Sequence, residues 1–275
     1  MARKNIDRRW IFLLIFIGVA LPLIFVIGLP LETTENVRMV YNLVEETPPG
    51  STVLISFDFD PASKPELFPM GQTIIRHCLQ RDIKIIFTAL WPMGVQMAND
   101  ALQKVKQDFP EKEYGKDFVN VGFKAGGIVT VQAMGKNFRD VFPSDMNATP
   151  IEEIPMLRGV KNFDNLAFLF SLSAGAPGIK EWVQIGHDAY GKPTSGGVTG
   201  VSAPSILPYV NEQQQLTGLL AGLKAAAEYE FLLETPGTAT SGMDAQSIAH
   251  LIIIIFIVIG NVNYWRSKKT EKGGK

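Results

Sequence analysis

The chain predicts a Rossmann-like, doubly wound α/β domain with a mostly parallel sheet of about five strands, flanked by N- and C-terminal transmembrane helices. Three observations lead there. Uncharged apolar runs stand near both ends, at 10–29 and 248–259, each with a basic cluster on its terminal side. Between them, short and nearly continuous apolar runs alternate with segments of helical period, as in parallel sheets covered on both faces. That middle part, roughly 215 residues, is long enough for one sizeable core.

The first run, WIFLLIFIGVALPLIFVIGL, approaches the roughly 20 helical residues that cross a ~30 Å hydrocarbon core. It is longer than the roughly 7 to 15 apolar residues of a signal peptide, and GLPLETTEN after it has no small-x-small cleavage pattern, so an uncleaved anchor is predicted. Pro22 is tolerated inside such a helix. The second run, IAHLIIIIFIVIG, is strictly apolar for only about three turns and draws on Ser247–His250 and Asn261–Trp265 to reach across. Trp10, Tyr264 and Trp265 stand where aromatic rings favour the headgroup layer.

Arg3, Lys4, Arg8 and Arg9 precede the first run, and Arg266, Lys268, Lys269, Lys272 and Lys275 follow the second. An excess of Lys and Arg marks the cytoplasmic side, so both termini are expected there and the middle outside. The expected organisation is a cytoplasmic basic tail (1–9), a transmembrane helix (10–29), a connecting helix (30–50), an extracytoplasmic α/β domain (51–234), a linker (235–246), a transmembrane helix (247–265) and a second cytoplasmic basic tail (266–275).

Nine of the 26 Lys and Arg residues and two of the 27 Asp and Glu residues fall outside 31–247, which leaves 17 basic and 25 acidic residues within it. An excess of eight acidic charges opposes binding to phosphate backbones, so no nucleic-acid partner is expected. The single cysteine, Cys78, has no partner for an internal disulfide and lies at helical spacing beside Ile74, Ile75 and Leu79, an apolar setting. The three histidines, His77, His187 and His250, form no metal-binding motif, and neither a metal site nor a cofactor is predicted.

Within the domain, Val37, Val40, Tyr41 and Val44 give a helical stripe across 32–46, preceded by Thr33 and Thr34 as possible caps and stopped by Pro48, Pro49 and Gly50. STVLISFD (51–58) reads as the first buried strand, 70–81 as a helix, IKIIFTAL (83–90) as the second strand and 92–109 as a helix. FVNVGF (118–123) is the third strand and 127–142 a helix with some strand-like content. An irregular Pro-rich and acidic stretch, 143–164, precedes the fourth strand, LAFLFSLS (166–173), and a helix over 178–190. A short fifth strand is expected at 198–202, emerging from the flexible GKPTSGG, and a long helix at 211–233. GKPTSGG and 143–164 are the expected mobile or partner-binding loops.

Open sheets of this kind bind ligands beyond the carboxyl ends of their strands. The candidate ligand-binding residues are therefore Asp58, Asp60, Thr88, Trp91, Lys124, Ser171 and Ser173, with Gly126, Ser202 and Ser205 beside them. Asp58 and Asp60 are also the weak catalytic candidates: two carboxylates at a strand end can hold a divalent cation or serve as nucleophile and acid. The bland alternative is that they cap a turn or the next helix. A hydrophobic strand ending in DxD, followed by a later strand ending in Thr88, resembles the phosphatases of the haloacid dehalogenase superfamily. The resemblance covers those two short elements and implies a metal-dependent hydrolase using Asp58 and Asp60. LFSLSAGAP carries no carboxylate where that family places metal ligands. KAGGIVTVQAMG matches neither GxGxxG nor GxxxxGK[ST], and GVSAP does not match GxSxG.

In the expected closing helix, Gly218, Gly222 and Ala226 recur every fourth residue and form a smooth face for close approach by the domain's own sheet or by a second subunit. The leading expectation is a non-catalytic, doubly anchored subunit whose outer domain mediates assembly or partner binding in a membrane complex. Its partners would be the lipid bilayer and other membrane-protein subunits or a second copy. A membrane-tethered small-ligand receptor or transport-associated binding subunit is the alternative, and the Asp58–Asp60 hydrolase a minor one.

Overall fold

A computed structural model describes residues 8–272, in two compact units: Leu31–Thr235, and the two ends up to Pro30 and from Pro236. In chain order the elements are α1 (Arg8–Ile24), α2 (Glu35–Glu45), β1 (Thr52–Asp58), α3 (Lys64–Gln80), β2 (Lys84–Ala89), α4 (Gly94–Lys106), β3 (Phe118–Phe123), α5 (Ile128–Lys136), α6 (Phe138–Val141), β4 (Leu169–Ser173), α7 (Ile179–Trp182), β5 (Thr194–Val198), α8 (Ala203–Ile206), β6 (Leu220–Ala221), α9 (Gly222–Leu232) and α10 (Thr238–Lys272).

The strands form one parallel sheet in the order β3-β2-β1-β4-β5-β6. From β1 the chain moves outward through β2 to β3, then returns to the other side of β1 and moves outward again. The order therefore reverses between β1 and β4, whose carboxyl ends flank the crevice where such sheets bind ligands. Helices α3 and α4 pack together on one face, with α9 against α3 and α2 against α9. On the other face Val131, Met134, Phe138 and Trp182 close over Leu54, Ile86, Val119 and Leu169. β1, β2 and β4 are buried on both sides, which is why their sequences run apolar without alternation.

Several elements depart from the sequence expectation. The fifth strand is Thr194–Val198: it shares only Val198 with the expected 198–202, its other residues come from the GKPTSGG stretch read as flexible, and every residue in it is buried. Its glycines are required by packing: a Cβ on Gly196 would lie 2.3 Å from the Ser171 carbonyl oxygen. The expected helix over 211–233 is a turn, a sixth strand and the shorter α9. Gly218 and Gly222 hold left-handed φ angles of +77° and +67°, which keep the chain before α9 out of a helix, so that α9 starts only at Gly222. They form no helical stripe with Ala226. Gly218 lies against Asn36, Met39 and Val40 of α2, Gly222 against Gly200, and Ala226 is buried within the domain.

The stretch 143–164 is packed in its apolar part: Ile151, Ile154, Leu157, Val160 and Phe163 belong to the core under α5 and α6. Low regular structure and many prolines made it resemble a mobile loop, whereas its apolar residues extend the core. His77 of α3 joins the helices on the opposite face. Its Nδ1 lies 2.8 Å from the Tyr229 hydroxyl of α9 and its Nε2 2.8 Å from Glu45 of α2, while Tyr41 stacks on the ring.

In the other unit, α1 runs beside α10, and Gly18 lies against Ile248 and Ile252. Among the described residues one helix is long and apolar enough to cross a membrane, Thr238–Arg266, with a mean hydropathy of 2.2 and only 6 % of its apolar window buried. It includes most of the expected linker, which supplies the turns that the short apolar run lacks. α1 has 17 residues and stops at Ile24, earlier than expected. The chain beyond it is irregular, with Gly28 at a left-handed φ of +72°, and the N–H groups of Ile27, Gly28 and Leu29 all donate to the Asp244 carboxylate at 2.9–3.0 Å. Arg3, Lys4, Asp7 and Lys275, used above for orientation and charge, lie outside the described residues, as do the side chains of Lys269 and Lys272.

Candidate functional site

β1 and β4 pair in a register that sets Ser56 beside Ser171 and Asp58 beside Ser173. Side chains two apart on a strand share a face, so SxD on one strand and SxS on its neighbour form a polar quartet inside the sheet. α7 covers that quartet with Trp182, which is itself fully buried.

The Asp58 carboxylate is at 0 % exposure and accepts four hydrogen bonds. Oδ1 takes the Ser56 hydroxyl at 2.6 Å and the Leu90 N–H at 2.8 Å; Oδ2 takes the Ser171 hydroxyl at 2.8 Å and the Trp182 indole N–H at 2.9 Å. Burial, which opposes charge, raises the Asp58 pKa to about 6, although all four donors pull it down. Each oxygen thus receives one obligatory N–H donor and one serine hydroxyl that can reverse. The group can therefore carry or lose a proton without leaving a polar atom unpaired.

The network continues outward. The Ile179 N–H donates to the Ser173 hydroxyl oxygen at 2.7 Å, and the Ser173 and Ser171 hydroxyls are 2.9 Å apart. With Asp58 ionised, the direction is set: Ile179 N–H to Ser173, Ser173 O–H to Ser171, Ser171 O–H to Asp58. A buried carboxylate on β1 in this way anchors the first turn of α7. Trp91 fastens the adjoining loop, donating its indole N–H to the Pro177 carbonyl at 2.7 Å.

Outside this anchor, between the ends of β4 and β5, lies a cleft of about 180 Å³. Ile179, Val198 and Ile206 form its apolar part, and Ser173, Lys180, Glu181, Ser202 and Ser205 contribute polar groups. One Glu181 oxygen accepts the Gly178 N–H at 2.7 Å. The Ser202 hydroxyl oxygen accepts from Thr199, so its own O–H is the donor that remains.

Of the strand-end residues expected from sequence, Asp58, Ser171 and Ser173 come together and Trp91 flanks them. The other three are placed apart. Asp60 accepts the Ala62 N–H and caps a short 3₁₀ turn at Pro61–Ser63. Thr88 is buried and donates to the Gly122 carbonyl of β3, and Lys124 is exposed over the Phe142 ring. Asp58 and Asp60 have separate partners because the strand ends at Asp58 and the chain turns at once. Among the described residues no group of three or more His, Cys, Asp or Glu side chains could hold a metal ion.

Sequence reasoning missed Ser56 as a member of the quartet and Lys180 and Glu181 as walls of the cleft. The paired SxD and SxS patterns were a usable signal for the first, once the two strands are known to be neighbours. Comparison of the chain with protein-family models, with curated proteins and with solved structures finds no match.

Proposed function

We propose that this chain is a non-catalytic, doubly membrane-anchored subunit whose extracytoplasmic α/β domain binds a protein partner within a membrane complex. The observation that carries the reading is an inversion at the carboxyl ends of the strands. Asp58, the acid most suited to chemistry, faces inward and is saturated by the chain's own donors, while apolar side chains face out. Met93 after β2, Ile128 and Val129 after β3, and Val201 after β5 are exposed, Val201 by 92 %. Exposed apolar groups drawn from several loops of one sheet edge favour protein recognition over turnover. An Asp58–Asp60 hydrolase loses its support, since one carboxylate is sealed and the other caps a turn.

Two spans, with both termini cytoplasmic, are part of this proposal. The apolar side chains of α10 are exposed, as a lipid-facing helix requires, and the Asp244 carboxylate satisfies three N–H groups beyond α1 that hydrocarbon would leave unpaired. Proteolysis of sealed vesicles tests the topology: a protected 266–275 tail is expected, and cleavage from outside would overturn it. For function, the full chain is purified from its native membrane in mild detergent. A stoichiometric partner lost from a Val129→Glu, Val201→Glu variant is expected; a partner-free monomer would defeat the reading.

The cleft between β4 and β5 favours a second reading, a membrane-tethered receptor for a small ligand. It joins aliphatic side chains to convergent polar groups, of which Ser173, Glu181 and Ser202 are held by hydrogen bonds, as in small-molecule sites.

A further inference from the structure

Resting on the receptor reading, we infer that the cleft between β4 and β5 takes a free α-amino acid with a branched aliphatic side chain. Size gives the first argument. An apolar cavity of about 150 Å³ accommodates benzene, so about 180 Å³ suits a ligand group somewhat larger than six heavy atoms. Leucine or isoleucine is of that size.

Chemistry gives the second. Ile179, Val198 and Ile206 border the cleft from the core cluster beneath it, so its apolar part is aliphatic and carries no group to pair with the hydroxyls of a sugar. Lys180 and Glu181 supply one positive and one negative charge to the same cleft. A site of zero net charge with both signs present matches a zwitterion better than an anion or a cation. Lys180 has no ion pair or hydrogen bond within the described residues, so its ammonium is available for a carboxylate. Glu181 uses one oxygen on Gly178 and keeps the other for an ammonium. The Ser202 O–H is a further donor for the carboxylate.

Preorganisation gives the third. Ile179 and its two neighbours Lys180 and Glu181 form the first turn of α7, which the relay from Asp58 through Ser171 and Ser173 anchors to the sheet. The residues meant to contact the ligand are thus fixed before it arrives, which lowers the ordering entropy of binding.

The test uses the full chain in mild detergent and isothermal titration with L-leucine, leucinamide, N-acetylleucine and, separately, inorganic phosphate and galactose. L-leucine is expected to bind, with leucinamide and N-acetylleucine each at least tenfold weaker. The discrimination against leucinamide is expected to vanish in Lys180→Ala, and that against N-acetylleucine in Glu181→Gln, which still accepts the Gly178 N–H. Equal binding of all three leucine compounds, or none, overturns the inference. Binding of phosphate or galactose that Ile206→Trp abolishes would overturn the ligand class and leave a receptor; silence from all five probes, with folding checked by circular dichroism, would remove both.

Discussion

Ser171→Ala cuts the network at its centre. The substitution removes a charged hydrogen bond to the Asp58 Oδ2 and takes the acceptor from the Ser173 hydroxyl, with both sites buried. A hydrogen bond to an ionised group contributes about 1.5–3 kcal/mol, and an unpaired buried hydroxyl costs about 1–3 kcal/mol. Some relaxation of Ser173 is expected, so we take a loss of about 3 kcal/mol at pH 7.5. For a domain of this size, each kcal/mol shifts Tm by roughly 2–4 °C, which gives a fall of about 6–12 °C. The assay is thermal unfolding of the full chain in mild detergent, followed by circular dichroism. A pH control makes the reasoning specific. Below pH 6 Asp58 is protonated, and a bond between neutral groups contributes only about 0.5–1.5 kcal/mol, so the deficit should shrink by about 1 kcal/mol at pH 5. A fall of under 2 °C, or a deficit independent of pH, would refute the idea that Asp58 is the anchor of this network.

Asp58 itself sets a pH dependence. Its folded pKa of about 6 lies above the ordinary 3.8, so the folded state holds the proton more tightly. The associated stability, about 3 kcal/mol at roughly 1.36 kcal/mol per pH unit, is complete below pH 3.8 and lost as pH rises through 6; Asp58→Asn should flatten the Tm–pH profile across that window. His77 acts in the opposite sense, because burial holds its pKa below the usual 6.5 despite the neighbouring Glu45. The stability it contributes is present above 6.5 and lost as pH falls below it, and its ring resonances should titrate at a pH under 6.5 in NMR spectra. His77→Ala should destabilise by about 1–3 kcal/mol in denaturant titrations, since the buried Tyr229 hydroxyl loses its partner. Gly218→Ala should lower stability by about 1 kcal/mol or more in the same titrations, because φ is +77° and the new Cβ would stand 2.5 Å from the Asn36 carbonyl oxygen.

What could be read in the chain beforehand was whatever is written locally. β1, β2 and β4 announce themselves as continuous apolar runs, and α2 and α4 by helical period, because burial of a whole strand or of one helix face leaves its mark on consecutive residues. That Asp58 terminates a strand was equally plain. Its role was not, since the meaning of a carboxylate depends on Ser171 and Trp182, more than a hundred positions away, and on the register between β1 and β4.

The sequence by itself determined an alternating α/β domain, an apolar α10 and a set of polar residues at strand ends. Hydrophobic periodicity and composition carry those directly. Only the tertiary structure decided that GKPTSGG contains a buried strand, that Gly218 and Gly222 bend the chain and do not line a helix, and that Asp58 turns inward while Lys180 and Glu181 border the cleft. Glycine has no side chain with which to signal burial, and a carboxylate's chemistry is set by the donors that reach it. Both are properties of what the fold brings near, and neither is written in neighbouring residues.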